Sequence, residues 1–309
     1  MGRRLRYIPE GGSLVEVTCR TVQGRYFMRP NKECREIILG VLGRAQRFYP
    51  VRIHAFVFLS NHYHLLLSVP DAHRLARFMQ YLNANLAREI GRLVDWPSHL
   101  WSRRYQAILV SDEPTAQIDR LRYVLSQSCK EGLVPSPLEW PGAHCAQSLL
   151  DGSILSGLWF DRTREYAARQ RGDSYEPRDF ATEETLTLDP LPCWRHLDAG
   201  VVREYIRDLV TEIEEEARRE KKEPLGRKAL THIRPHSRPE RLKRAPAPGF
   251  HCATRQARRE LHEAYGWFYA AYRQAAEKLR LGDLTATFPE GAFPPPRPVV
   301  GLALEPWPG

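Results

Sequence analysis

The run FVFLSNHYHLLLSV at residues 56–69 constrains this chain more than any other stretch. Within residues 51–69 it has the dense apolar pattern of one long strand in the middle of a sheet, covered on both faces. Yet His62 and His64 interrupt it. Side chains alternate along a strand, so the two imidazoles share a face, about 7 Å apart at the backbone, while Tyr63 turns to the other and belongs to the core. Burying two polar rings beside Leu65, Leu66 and Leu67 costs free energy unless each finds a partner. Ordinary hydrogen bonds would serve, and so would one shared divalent metal ion, since neutral histidine is its commonest nitrogen ligand.

The neighbouring segments supply a frame. SLVEVTCRTVQGRYFM, residues 13–28, alternates and reads as a strand followed by a turn near Gly24. Asn31 caps a helix through NKECREIILGVLGRAQRFY, which Pro50 ends, and Asp71 caps another through DAHRLARFMQYLNANLAREIGRLV. LWSRRYQAILVSD reads as a strand; Ser111 or Asp112 with Pro114 then opens a helix that runs to about Glu131 and closes on Gly132. These strands are too few and too sharply broken for a doubly wound sheet. The expected fold is α+β: a ferredoxin-like antiparallel sheet with flanking helices over residues 1–150.

The character changes after PSPLEWPG. Residues 151–217 read as a charged, partly helical extension, and 218–252 as a basic, proline-containing linker or arm, with eleven Lys/Arg against three acids between 218 and 244. Residues 253–309 hold one last helix, near 254–280, and a proline-rich tail. The C-terminal extension is thus mainly helical.

A metal site needs more than two protein ligands. In RLRYVLSQSCKEGLV, Tyr123 and Gln127 stand at i and i+4, on one helix face a turn apart. The Gln127 amide oxygen is a hard donor suited to magnesium or manganese, and the Tyr123 hydroxyl is a nucleophile once deprotonated. The plainer alternative is a half-buried aromatic beside a solvated amide.

NHYHLLLSVP, DAHRLARFMQYLNANLAREIG, LWSRRYQAILVSD and YVLSQSCKEGLVPSPLEWP, in that order, resemble the single-tyrosine HUH transposases over about residues 5–150. The branch most similar is the REP-associated tyrosine transposases, relatives of the insertion-sequence-200 type. The resemblance implies the HUH endonuclease fold and a metal-dependent endonuclease acting on single-stranded DNA at hairpins or palindromic repeats. Carried over by position, His62, His64 and Gln127 would hold Mg2+ or Mn2+, and Tyr123 would attack the scissile phosphate, leaving a 5′-phosphotyrosine and a free 3′ hydroxyl. Ser60 stands where the family often has proline, Tyr63 where it has an aliphatic, and Gln127 where REP-associated members carry Asn.

Charge agrees with such a partner. Residues 1–150 carry 20 Lys/Arg against 12 Asp/Glu, a net +8 of the chain's +9, and a field of that sign attracts polyanions. Arg103 and Arg104 in WSRRYQ are the candidate phosphate contacts, a solvated pair on an edge strand being the alternative, and Tyr105 packs beneath the sheet or else stacks on a base. The six scattered cysteines read as reduced thiols, and no signal peptide or membrane span is visible, so the expected compartment is the cytoplasm. A domesticated DNA-binding protein with this fold and little turnover is the rival reading. A homodimer that exchanges the nucleophile helix is the alternative to a site built within one chain.

Overall fold

A computed structural model describes residues 5–220, 223–240 and 248–296. The first half runs β1 (Ser13–Arg20), α1 (Lys32–Phe48), β2 (Arg52–Phe58), β3 (His62–Val69), α2 (Ala72–Leu93), β4 (Gln106–Val110) and α3 (Pro114–Lys130). The strands lie in the order β2-β3-β1-β4 with every neighbouring pair antiparallel, which is the ferredoxin-like arrangement of two split βαβ units. The chain continues through α4 (Ala146–Asp151), β5 (Leu155–Phe160), α5 (Arg162–Arg171), β6 (Ala181–Leu186), α6 (Ala199–Arg219), α7 (Arg227–Thr231), β7 (Phe250–His251) and α8 (Arg255–Arg280). The fold is therefore α+β with a mainly antiparallel sheet and a C-terminal region rich in helix.

Local chemistry explains most boundaries. Asn31 and Asp71 accept hydrogen bonds from the Cys34 and Arg74 backbone amides and so cap α1 and α2. At the end of α3, Gly132 adopts φ +68°, the left-handed cap. The start of α3 differs from expectation: Glu113, not Ser111 or Asp112, holds the cap position. Its carboxylate instead accepts from Ser111 Oγ and from the amides of Ala253 and Thr254, tying α3 to the start of α8.

Residues 51–69 are two strands, not one. Ser60 and Asn61 form a tight turn closed by the Leu59 amide to the His62 carbonyl at 2.9 Å, and Phe58 faces Tyr63 across the hairpin. The apolar run hid the turn because both strands are buried nearly throughout. Similarly, only Gln106–Val110 of LWSRRYQAILVSD is ladder; Trp101 makes an isolated bridge to Thr21.

Helix α1 is apolar nearly all round, which demands cover on a second side. The β5–β6 hairpin supplies it. Gly40 on α1 and Gly157 on β5 let the two backbones touch: a Cβ on Gly40 would fall 2.2 Å from the Leu158 carbonyl oxygen, and one on Gly157 2.2 Å from that of Glu36. Arg44 and Arg47 pair with the buried Glu184 on β6 at 2.5 and 2.8 Å, and Arg162 with the buried Glu89 on α2. Strand β7 joins the main sheet as a fifth strand, parallel to β4. Part of the basic segment is also fastened to the body: Leu225 and Gly226 donate to the Gly132 and Leu133 carbonyls, and Leu230 is fully buried. Residues 221–222 and 241–247 of that segment, and 297–309 of the tail, lie outside the described residues.

Two framework histidines are buried. His54 bonds the Asp189 carbonyl at 3.0 Å and Ser68 Oγ at 2.8 Å, and His144 accepts from the Ala146 amide at 2.9 Å. Burial pulls both down to about 4, against the pull of their backbone carbonyl partners. An unfolded histidine takes its proton near 6.5, so below that pH the unfolded chain binds more protons and stability falls as pH falls. Urea unfolding midpoints are expected to drop between pH 7 and 5, by roughly 2 kcal/mol per histidine at pH 5. A flat profile would contradict the burial of these two rings.

Candidate active site

One face of the sheet collects the polar residues. Cross-strand register sets Thr18 opposite His64 and Arg20 opposite His62, so Glu16, Thr18, Arg20 and the two histidines all project the same way. Tyr63 projects the other way, is fully buried, and donates from its hydroxyl to Asn83 Oδ1 on α2 at 2.7 Å. It is core. Helix α3 crosses the histidine face and presents Arg120, Tyr123 and Gln127 from successive turns.

His62 stands at the rim and His64 below it, 6% exposed, with ring centroids 5.2 Å apart and nearly perpendicular. Each ring is held by its Nδ1. His62 Nδ1 lies 2.7 Å from Asn61 Oδ1, and Asn61 is itself oriented by donating through Nδ2 to the Gly24 carbonyl. His64 Nδ1 lies 2.8 Å from Glu16 Oε1. Both partners are acceptor oxygens, so Nδ1 donates in each ring and Nε2 is the nitrogen turned away from that partner. Burial, then the neighbouring His64 and Arg20, push His62 well below its ordinary value, which keeps it neutral.

The Tyr123 ring meets His64 edge-on at 5.6 Å, with the Arg120 guanidinium 4.1 Å and the Lys130 ammonium 4.8 Å from its centroid. Burial raises its phenol and Glu16 adds to that, while Arg120 and a side-chain hydrogen bond with Gln127 act in the opposite direction. The tyrosine borders an open cleft of about 310 Å3 between α3 and α6, lined also by Arg122, Lys130 and Ile213. Gln127 is 2% exposed, and its Nε2 donates to the Tyr123 carbonyl at 2.9 Å, which leaves the amide oxygen as its other end. Among the described residues no group of three or more His, Cys, Asp or Glu side chains could hold a metal ion. The two histidines and the amide are nevertheless a chemically suitable donor set: two imidazole nitrogens and one hard oxygen.

Arg103 and Arg104 are exposed on the loop before β4. That loop is fastened to the end of β1 nearest His62, by the Ser102 amide to the Arg20 carbonyl at 2.9 Å and Cys19 Sγ to the Arg103 carbonyl at 3.6 Å. Tyr105 is buried, with Arg6 over its ring at 5.2 Å.

Three residues of the site escape sequence reading. Glu16, 2% exposed, accepts from His64 through Oε1 and meets Arg120 Nη1 at 2.8 Å and His251 Nε2 at 3.0 Å through Oε2. Burial pushes this carboxyl up, but the His251 and His64 hydrogen bonds, together with the charges of His64 and Arg120, hold it well below the usual carboxylate range. The alternation Glu16, Thr18, Arg20 within a Val-rich strand was the available signal for a polar face. Arg120 lies one turn before Tyr123 and was legible by the same spacing. Nothing local marks His251.

Residues 21–127 match the family model described as "Transposase IS200 like", a segment that contains His62, His64, Tyr123 and Gln127. The resemblance to the insertion-sequence-200-like transposases is borne out over that segment. Among solved structures the chain is similar to a REP-associated tyrosine transposase bound to a REP hairpin, with 16% identity over 49% of this chain and 87% of that one and a TM-score of 0.39. It is also similar to a candidate transposase of Deinococcus radiodurans r1, with 19% identity over 39% of this chain and 94% of that one and a TM-score of 0.28. No curated protein matches the chain. Among the described residues no helix is long and apolar enough to cross a membrane.

Proposed function

We propose that this protein is a metal-dependent endonuclease and transposase of single-stranded DNA that cuts and rejoins through a covalent bond to Tyr123. The observation that carries the reading is the pair of imidazoles, each held through Nδ1 by an acceptor oxygen, with His64 edge-on to the Tyr123 ring at 5.6 Å. His62, His64 and Gln127 would hold Mg2+ or Mn2+, which when bound polarises the phosphate and offsets its charge.

Each protein group has a task. The Tyr123 oxygen attacks phosphorus, the bond from phosphorus to the 3′ oxygen breaks, and the phenol proton is balanced by protonation of the departing 3′ oxygen. The products are a 5′-phosphotyrosine and a 3′ hydroxyl, and rejoining runs the step backwards with a new 3′ hydroxyl, so no nucleotide cofactor is consumed. Arg120 and Lys130, over the Tyr123 ring, favour the phenolate and face the incoming phosphate. Arg103 and Arg104 would hold the strand beyond the cut, and the +8 charge of residues 1–150 favours its approach. A hairpin or palindromic repeat is the expected substrate, and the cytoplasm the expected place of action.

The test is a labelled, hairpin-bearing single-stranded oligonucleotide incubated with the full chain and MnCl2. A covalent protein–DNA band on a denaturing gel is expected with Mn2+ or Mg2+ and not with EDTA. Adduct formation undiminished by EDTA and by His62→Ala would sink the metal reading, and tight binding without any adduct would favour the DNA-binding rival.

A further inference from the structure

The family-model match ends at residue 127, yet one residue of the C-terminal extension reaches the site. Strand β7 pairs in parallel with β4, setting Phe250 beside Leu109 and His251 beside Val110, and the Ser111 amide donates to the His251 carbonyl at 2.9 Å. This register points His251 at the buried Glu16 carboxylate from a distance of 235 residues in sequence. Glu16 is a node. One oxygen takes the Nδ1 proton of His64; the other receives Arg120 Nη1 and His251 Nε2, which lie 2.9 Å apart. Arg120 in turn covers the Tyr123 ring.

We infer that Glu16 and His251 are positioning residues for the cation held by His62 and His64, and that the C-terminal extension is thereby a working part of the site. The inference rests on the cation reading of those two histidines. The physical reason is general. A carboxylate on the far nitrogen of a ligating imidazole fixes its tautomer and ring angle and makes the near nitrogen more basic. A lone buried carboxylate could swing between His64 and Arg120. A second donor on Oε2 leaves Oε1 to His64 alone. His251 is that donor in the tautomer with its proton on Nε2, and the short parallel strand fixes where it stands.

The test reads metal, not turnover. Full-length protein is titrated with MnCl2 alone, free hexaaqua Mn2+ being counted by its electron paramagnetic resonance signal. Wild type is expected to bind Mn2+, and His62→Ala to lose that binding. Glu16→Gln should raise the dissociation constant by about 10–100-fold, the range found for such outer partners. His251→Ala should raise it by about 3–10-fold, while His251→Gln, whose amide can still donate to Glu16, should restore most of the affinity. Because His251 acts through Glu16, adding His251→Ala to Glu16→Gln should cost little more than Glu16→Gln alone. Melting temperatures in EDTA show whether each variant is folded. If wild type binds Mn2+ through His62 while folded Glu16→Gln and His251→Ala bind equally well, the inference is overturned and the cation reading stands. If wild type shows no His62-dependent binding, both fall.

Discussion

Tyr123→Phe is expected to abolish the covalent protein–DNA adduct, a loss on the order of a thousandfold or more, because a phenyl ring has no oxygen with which to form the phosphoester. The fold should not notice. The ring keeps its edge-on contact with His64 and its place under the Arg120 and Lys130 cations, and only the hydroxyl and its hydrogen bond with Gln127 are removed. Mn2+ binding should likewise persist, since the hydroxyl is not among the inferred ligands. Gel-resolved adduct, melting temperature and Mn2+ titration on the same preparation separate these effects. An undiminished adduct would move the nucleophile elsewhere, and Tyr63 could not take its place: it is fully buried on the opposite face, and burial raises its phenol well above the ordinary range.

Gly40→Ala should produce the largest loss of stability. Its new Cβ would stand 2.2 Å from the Leu158 carbonyl oxygen and 2.3 Å from the carbonyl carbon, a clash with backbone that no rotamer relieves. Helix α1 must then separate from β5, opening the contact that Gly40 and Leu39 make with Gly157 and straining the pairs that Arg44 and Arg47 make with Glu184. Overpacking of this kind costs about 1–3 kcal/mol, and more where backbone must move. The expected result is a loss of roughly 3 kcal/mol or more by urea unfolding. Gly266→Ala on the exposed side of α8, where nothing lies within 4 Å of the new Cβ, is the matched control and should be neutral or slightly stabilising. Equal midpoints for the two variants would mean that α1 and β5 do not touch in solution.

What the sequence disclosed and what it hid follow from range. Asn31, Asp71 and Gly132 announce helix ends because capping is settled within four residues, and the structure has all three in those roles. His62 with His64, and Tyr123 with Gln127, stand out because strand and helix periodicity set side chains of one element on one face. The Ser60–Asn61 turn was invisible inside an apolar run whose two strands are both buried. The β5–β6 hairpin was missed for a different reason: LSGLWF earns its place by close backbone approach to α1, and that partner lies more than a hundred positions away. Glu16 and His251 are the extreme case. Neither residue alone carries a pattern, and only the register of β7 against β4 joins them.

That register also bears on the order in which the molecule comes together. Strands β1 to β4 and helices α1 to α3 are complete once residue 130 is made. Strand β7 is two residues long, sits on a sheet edge, and must close a loop of about 140 residues to reach β4, which makes it a late and weakly held addition. A nascent or C-terminally truncated chain would therefore own every residue of the catalytic face while lacking the brace behind it. The edge beside β4 would be the first part of the sheet to open when the protein is stressed.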